Sequence, residues 1–249
     1  MMKNVTNRKR SVVYSDFEAA RDRLARAIPA GPFYGTLTGP SGSGKTSLLR
    51  EVAAALDRHR FQSHYLAQSG TSTSGLGRFI AEILHITPRR SHTETIHAAS
   101  QALRSLPFRI ILLVDEAHLL DDDALQEVRL LAESELDAPP LFTVVLCGIP
   151  ELKKRLDAPL LFPLKRRITV RLELTGLKQD EVAPFLSFRL GEEPASRFSP
   201  EILPVIFQRT RGIPALVESL ARLCLQSVPE RAQVTLEATQ EVIESWEVM

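Results

Sequence analysis

The segment Gly39–Thr46, with the sequence GPSGSGKT, constrains the fold of this chain more than any other stretch. It matches the pattern G-x-x-x-x-G-K-[ST] of a phosphate-binding loop, the P-loop. A short apolar run at residues 33–38 precedes the loop, and residues 47–56 behind it carry apolar side chains at helical spacing. Because strand, glycine loop and helix are the context that the motif needs, the sequence predicts a P-loop after a buried first strand.

The residue types of the loop suit a nucleoside triphosphate. Glycine permits backbone conformations closed to other residues, so that successive N–H groups and the helix N-terminus can point at an anion. Lys45 is predicted to reach the β- and γ-phosphates, and the Thr46 hydroxyl to bind Mg²⁺. With ATP and Mg²⁺ as expected ligands, the predicted binding residues are Gly39, Pro40, Ser41, Gly42, Ser43, Gly44, Lys45, Thr46 and Ser47.

Strand patterns alternate with helical patterns through the first two thirds of the chain. The continuous apolar run at 109–114, RIILLV, is typical of a central parallel strand buried on both faces. Alternation of strands and helices predicts a parallel α/β sheet. The remaining predicted strands are 33–38, 61–67, 141–147 and 168–174.

From Thr175 onward only helical patterns occur, near 178–190, 200–209, 214–226 and 235–245. Pro184 and Pro204 fall inside two of them and are expected to kink or shorten these helices. We therefore expect three parts in the chain: a basic N-terminal tail at 1–14, an α/β domain at 15–174 and a small all-helical domain at 175–249.

An acidic pair, Asp115 and Glu116, follows the central strand. The carboxyl ends of parallel strands face the crevice in which α/β sheets bind ligands. Asp115 is predicted to hold Mg²⁺, directly or through water, and Glu116 to orient and deprotonate the attacking water. His118 is expected to be a structural neighbour rather than a catalytic group. The chain is therefore predicted to be an ATPase.

Charge is unevenly distributed along the chain. Residues 1–173 hold 24 Lys/Arg against 19 Asp/Glu, a net charge of +5, and residues 174–249 hold 7 against 11, a net charge of −4. A mildly basic first part permits nucleic acid as a partner without requiring it.

Two cysteines form no disulfide framework, and no apolar run approaches the ~18 residues of a membrane span, so we expect a cytoplasmic protein that does not contact a membrane.

The P-loop, the strand ending in Asp-Glu and the trailing helical domain together resemble the AAA+ ATPases. Shorter motifs are similar to those of the ExeA-type ATPases and of the transposition regulators of the TniB, TnsC and MuB kind. The resemblance covers roughly residues 15–245 and implies an AAA+ fold, with a parallel five-stranded αβα sheet followed by an all-helical lid domain. The motifs that carry it are Cys147–Leu152 (CGIPEL), Leu164–Ile168 (LKRRI), Leu172–Leu177 (LELTGL) and Arg211–Pro214 (RGIP).

The resemblance also assigns residues that would complete the site. Arg167 takes the position of the arginine that reaches a neighbouring subunit's nucleotide, and Arg166 is the alternative; a solvated basic patch is the other interpretation. The sensor-1 position, at 147–149, holds no typical polar side chain, and Ala215 stands where the sensor-2 arginine is expected, with Arg211 as a possible substitute. This implies slow, assembly-dependent hydrolysis.

The transposition branch implies a homo-oligomer, a ring or a helical filament, that binds duplex DNA without sequence preference and recruits a transposase. Lys153, Lys154 and Arg155 form a further basic cluster. Two alternatives stay open: an ExeA-type ATPase of secretion or envelope assembly, and a nucleotide-switched protein scaffold without DNA. The candidate DNA contacts are Ser69, Thr71, Thr73, Arg78, Arg89 and Arg90.

Overall fold

The computed structural model describes residues 14–67, 79–87, 92–132 and 140–246 of the 249-residue chain. Most of the predicted basic tail, residues 1–13, lies outside this range. All six candidate DNA contacts, Ser69, Thr71, Thr73, Arg78, Arg89 and Arg90, also lie outside the described residues.

Five parallel strands form one sheet in the order β2-β3-β4-β1-β5, which confirms the predicted architecture. Strands β1, β3 and β4 are buried along almost their whole length, because the flanking strands and the helices on both faces cover them. In this order β4 separates β1 from β3, so the carboxyl ends of β1, β4 and β3 are consecutive along one edge of the sheet. The strands are β1 (Tyr34–Thr38), β2 (Phe61–Ala67), β3 (Arg109–Asp115), β4 (Thr143–Gly148) and β5 (Ile168–Glu173).

The helix after the P-loop spans Lys45–Ala55, close to the predicted range of 47–56. Two six-residue helices between β4 and β5, Glu151–Leu156 and Phe162–Arg167, were missed by the sequence patterns, because six residues span too few turns to establish a period. Cys147 and Cys224 are both buried, and the described residues contain no disulfide between them. The remaining long helices of this part are Ser15–Ala30, Lys45–Ala55, His92–Ser105 and Asp122–Ala132.

The described chain groups into two compact units. The sheet unit comprises Ala20–Pro40 and Val52–Leu174, and the helical unit comprises 14–19, Ser41–Glu51 and the residues from Thr175 onward. One boundary between the two units lies between Leu174 and Thr175. Most of the P-loop belongs to the helical unit, which the sequence patterns do not indicate.

The helical unit contains five α-helices among its described residues from Thr175 onward. Pro184 and Pro204 are each the third residue of their helix, in the first turn, where backbone N–H groups have no intrahelical acceptor. The α-helices begin at Val182 and Ile202, later than the predicted 178 and 200, so of the two expected effects the structure shows shortening. The helices are Val182–Leu190, Glu192–Ala195, Ile202–Thr210, Pro214–Ser227 and Leu236–Ser245.

A close backbone approach joins Gly176 and Leu177 to the turn that precedes the helix Pro214–Ser227. The N–H group of Leu177 donates to the carbonyl oxygen of Gly212 at 2.7 Å. Gly212 has a φ of +70°, and a Cβ there would overlap the carbonyl oxygen of Leu177. A Cβ at Gly176 would lie 2.7 Å from the carbonyl oxygen of Gly212. Both positions therefore require glycine.

We expect Gly212→Ala to lower the free energy of unfolding by at least about 2 kcal/mol, because it adds both backbone strain and a clash with Leu177. Gly191→Ala is the matched control, since Gly191 also has a positive φ of 95° but its nearest neighbour to an added Cβ is Pro194 at 3.8 Å. Gly191 has φ 95° and ψ 159°, so the control carries about 1–3 kcal/mol of backbone strain without the clash. Urea denaturation measures both, and equal losses would contradict the close approach.

Candidate nucleotide-binding site

The P-loop has the backbone geometry that the motif predicts. Strand β1 ends at Thr38 and the following helix begins at Lys45. Gly42 and Gly44 have φ angles of +80° and +96°, which residues with a side chain rarely adopt. The N–H group of Leu48 donates to the carbonyl oxygen of Gly44 at 2.9 Å, which closes the first helical turn.

The nine predicted loop residues differ in exposure. Ser43 is fully buried and Lys45 is 5% exposed. Among the described residues, the Ser43 hydroxyl has no hydrogen-bond partner. Gly39 is also buried; Pro40, Gly44, Thr46 and Ser47 are half-buried; Ser41 and Gly42 are exposed.

Tyr14 is a P-loop contact that the sequence motifs do not reveal. Its hydroxyl donates to the carbonyl oxygen of Ser43 at 2.6 Å, and the ring is almost completely buried. Burial, together with the charges of Asp16 and Glu181, raises the pKa of Tyr14 far above its ordinary value. The hydroxyl therefore stays protonated and remains a donor to the loop backbone.

Within the helical unit, the P-loop is bonded directly to the start of the helix Pro214–Ser227. The N–H group of Ala215 donates to the carbonyl oxygen of Gly42 at 3.2 Å. A Cβ at Gly42 would lie 2.8 Å from the Cβ of Ala215 and 3.3 Å from a methyl carbon of Ile213. The residue at the sensor-2 position thus contacts the phosphate-binding loop through its backbone and a methyl group.

In the sheet unit, Asp115 lies at the end of β3 with only 4% of its surface exposed. Its Oδ1 atom accepts a hydrogen bond from the Glu116 N–H group at 2.9 Å. Its Oδ2 atom accepts one from the Tyr65 hydroxyl at 2.5 Å. A buried carboxylate needs such donors to offset the loss of water. The contact with Tyr65 is not predictable from motif spacing.

Glu116 differs from Asp115 in exposure and in backbone conformation. Its φ is +50° and its side chain is 44% exposed. Its Oε2 atom lies 3.5 Å from Nδ1 of His118, and that ring packs over Gly148, where a Cβ would be 3.1 Å from Nδ1. His118 is therefore a neighbour of Glu116, and its ring packs against Gly148, the last residue of β4.

Arg155 binds the turn that follows Glu116. Its guanidinium donates to the carbonyl oxygens of His118 at 2.6 Å and Leu120 at 2.5 Å, and it pairs with the Asp122 carboxylate. It thereby joins the helix Glu151–Leu156 to the end of β3. The expectation of an available basic cluster at 153–155 is wrong for Arg155, because its donors are engaged in this turn.

The other two cations of that cluster are also paired. Lys153 lies 3.7 Å from a carboxylate oxygen of Glu173, and Lys154 lies 3.3 Å from one of Glu151. Both pairs are largely exposed, so they are weak and open to competition by other anions. The cluster nevertheless carries less uncompensated charge than its sequence suggests.

Arg166 and Arg167 lie in the last turn of the helix Phe162–Arg167, directly before β5. Arg166 is exposed, with its guanidinium carbon 6.0 Å from the centre of the Phe162 ring. Arg167 is half-buried. Their position in the fold is compatible with a contact to another subunit, and the single chain does not contain that contact.

The residues present fit Mg²⁺ and a triphosphate. Gly42 and Gly44 form a backbone cradle, and Ser43 adds a buried hydroxyl without a partner among the described residues. The candidate metal ligands, the Thr46 hydroxyl and the Asp115 carboxylate, offer only oxygen, which Mg²⁺ prefers.

The strand order, the P-loop after β1 and the acidic end of β3 define a P-loop NTPase of the AAA+ class. Residues 32–156 match the family model described as AAA domain, so the chain belongs to this family of AAA+ ATPases. General secretion pathway protein A of Aeromonas hydrophila is 32% identical over 194 residues, which are 73% of this chain and 34% of the relative. The matched segment thus spans about a third of the relative's length.

Solved structures support the same fold. The Orc1 protein of Aeropyrum pernix in complex with DNA has a TM-score of 0.62 at 18% identity and covers 96% of this chain and 68% of its own. Cdc6p of Pyrobaculum aerophilum gives 0.61 at 19% identity, with 97% and 68% covered. RuvB of Thermotoga maritima gives 0.59 at 20% identity, with 92% and 68% covered. At these identities the likeness concerns the fold alone.

None of the helices in the described part of the chain combines the length and the apolar character that a membrane crossing requires.

We expect Arg155→Ala to lower the free energy of unfolding by about 1–3 kcal/mol, because it removes charged donors from two carbonyl oxygens beside Asp122. Lys154→Ala, one residue earlier on the same helix, removes only the exposed pair with Glu151 and should cost less than about 0.5 kcal/mol. Urea denaturation of both variants measures the difference. Equal costs would contradict a structural role for Arg155.

Proposed function

We propose that this protein binds Mg²⁺·ATP and hydrolyses it slowly, and that the ATP-bound form is the state that assembles into oligomers. The observation that carries the proposal is the bond between the P-loop and the helix Pro214–Ser227 at Gly42 and Ala215. Because the helix Pro214–Ser227 begins in contact with the P-loop, nucleotide binding to the loop is coupled to the position of that helix.

The residue roles follow from the motif and from the local geometry. Lys45 binds the β- and γ-phosphates, while Thr46 and Asp115 hold Mg²⁺, which neutralises charge developing on the phosphate oxygens when bound. Glu116, whose carboxylate is nearly half exposed, orients the attacking water and accepts its proton. His118 lies beside Glu116 and is a neighbour that can orient this carboxylate.

Slow turnover is supported by the side chain at the sensor-2 position. An arginine that stabilises transition-state charge in phosphoryl transfer contributes about 10³–10⁵ to the rate when it acts as a finger. Ala215 supplies no charge, and its methyl group already contacts Gly42. The chain therefore depends on a guanidinium from elsewhere, and we assign it to Arg167 of a neighbouring subunit in a head-to-tail oligomer.

For the cellular role, we propose a DNA-binding regulator of transposition that assembles on duplex DNA and recruits or activates a transposase. The net charge of +5 in residues 1–173 supports phosphate contacts that are tolerant of sequence. The Orc1 structure of similar fold is a complex with DNA. The motif series from Cys147 to Pro214 is shared by the transposition regulators and the ExeA-type ATPases, so it is consistent with this role without favouring it.

A secretion ATPase of the ExeA type is the second candidate. It is favoured by the 32% identity to General secretion pathway protein A. In that role the oligomer would engage a protein partner and would not need DNA. Retention of the assembly on duplex DNA separates the two candidates.

We expect Glu116→Gln to keep ATP binding, to reduce hydrolysis at least about a hundredfold and to trap ATP-bound oligomers. At low salt these oligomers should be retained on duplex DNA of any sequence, and release should follow rising salt. Light scattering and filter binding measure both properties. Oligomers without DNA retention would favour the secretion role, and the absence of oligomers would contradict the proposed switch.

Lys45→Ala is the control for this experiment, because it removes the charge that binds the phosphates. It should abolish ATP binding and, with it, ATP-dependent assembly. An assembly that forms equally well in Lys45→Ala would show that nucleotide does not control it.

We expect Arg167→Ala to lower ATP hydrolysis at least about a hundredfold without changing the affinity of the monomer for ATP, because a guanidinium supplied in trans acts only in the oligomer. Arg166→Ala is the matched neighbour. The rate of ATP hydrolysis is measured at protein concentrations above and below the one at which oligomers form. ATP titrations of the monomer measure the affinity. A loss in Arg166→Ala alone would move the role to Arg166.

A further inference from the structure

Tyr65 on β2 makes a contact that the proposed mechanism does not yet use. In the register of β2 and β3, Tyr65 lies opposite Leu113, and Ala67 lies opposite Asp115. The Tyr65 side chain therefore reaches along the strand by two residues, and its hydroxyl donates to Oδ2 of Asp115 at 2.5 Å. This is the length expected for a hydrogen bond from a hydroxyl to an ionised carboxylate.

The hydroxyl is one of the donors that bind the buried carboxylate of Asp115. Oδ1 of Asp115 is held by the Glu116 N–H group at 2.9 Å and Oδ2 by Tyr65. Each carboxylate oxygen has two lone pairs, so each can accept another partner in addition to these donors. With both oxygens held, the rotation of the carboxylate about its χ2 angle is restricted.

The exposure of the Tyr65 ring indicates that this side chain contributes mainly through the hydrogen bond of its hydroxyl. Tyr65 is 41% exposed, so a large share of its ring remains in water and gains little from burial. Tyr34, by contrast, is 3% exposed and donates to the carbonyl oxygen of Arg129 at 3.0 Å. Tyr34 is a core residue with a satisfied hydroxyl, whereas Tyr65 spans an exposed strand edge to reach Asp115.

We propose that Tyr65 is a positioning residue that orients the Asp115 carboxylate toward Mg²⁺. The inference rests on the proposed function, because it requires Asp115 to hold the metal. Tyr65 touches neither metal nor phosphate in this role and acts through Asp115. Groups that orient metal ligands typically change metal affinity about 10–100-fold when removed.

The test compares Tyr65→Phe with the unaltered chain and with Tyr34→Phe, which also removes one hydrogen-bonded hydroxyl. Mn²⁺ is the probe, titrated by electron paramagnetic resonance into each protein saturated with a non-hydrolysable ATP analogue. We expect Tyr65→Phe to bind Mn²⁺ at least about tenfold more weakly, and Tyr34→Phe to bind it as the unaltered chain does. Affinity for the analogue in EDTA should be unchanged in all three proteins.

Four outcomes are distinguishable. Unaltered Mn²⁺ affinity in Tyr65→Phe overturns the role of Tyr65 and leaves the ATPase proposal standing. Equal losses in Tyr65→Phe and Tyr34→Phe overturn it too, since they indicate a general structural effect. If the unaltered chain binds neither the analogue nor Mn²⁺, the proposed function itself fails. A selective loss in Tyr65→Phe supports the inference.

A second measurement needs no variant at Tyr65 and guards against poor folding of Tyr65→Phe. The chain contains three tyrosines, so their ring signals can be followed by nuclear magnetic resonance, with Tyr34→Phe identifying one of them. Addition of Mg²⁺ to the analogue complex should shift the signals of the exposed ring at Tyr65 and leave those of Tyr34 in place. Unshifted Tyr65 signals would contradict a coupling between this ring and the metal.

Discussion

The buried carboxylate of Asp115 is the constraint on which the catalytic end of the sheet depends. A charge removed from water is costly unless donors replace the water, and here the donors are one N–H group and one hydroxyl. The N–H group belongs to Glu116, whose backbone adopts a left-handed conformation that costs about 1–3 kcal/mol. Arg155 then fixes the following turn. Glu116, the residue that would activate water, is thus held by the same hydrogen bond that satisfies the buried carboxylate of Asp115.

In the helical unit, a second constraint acts on the phosphate loop. Gly42 cannot carry a side chain, because Ala215 and Ile213 occupy the space where a Cβ would lie. The two chain segments approach each other through backbone, which is stiff, rather than through long side chains. Such a contact transmits small changes in loop position to the lid helix more directly than a flexible arginine would. This geometry suits a switch that reports bound nucleotide better than it suits rapid turnover.

Much of the fold could be predicted from sequence, because strand burial and helix periodicity are local patterns. Strand β2 begins and ends at the predicted residues, and the helix after the P-loop, predicted at 47–56, spans Lys45–Ala55. The contacts of Tyr65 and Arg155 could not be predicted, because the partners of these residues are 50 and 33–37 positions away in sequence and come close only in the folded chain. The roles of Arg166 and Arg167 were left open for a related reason, since their assigned partner is on another subunit.

The cellular role of the protein depends on the surfaces that bind its partners, which the nucleotide-binding residues do not define. The segment shared with General secretion pathway protein A is 34% of that protein, so the relationship defines a nucleotide-driven module and leaves its partner undefined. Charge is therefore the more informative observation. At 153–155, acidic neighbours pair with the cations, so phosphate contacts would have to come mainly from other cations of the basic part of the chain. Arg78, Arg89 and Arg90, which lie outside the described residues, remain the sequence-predicted candidates for such contacts.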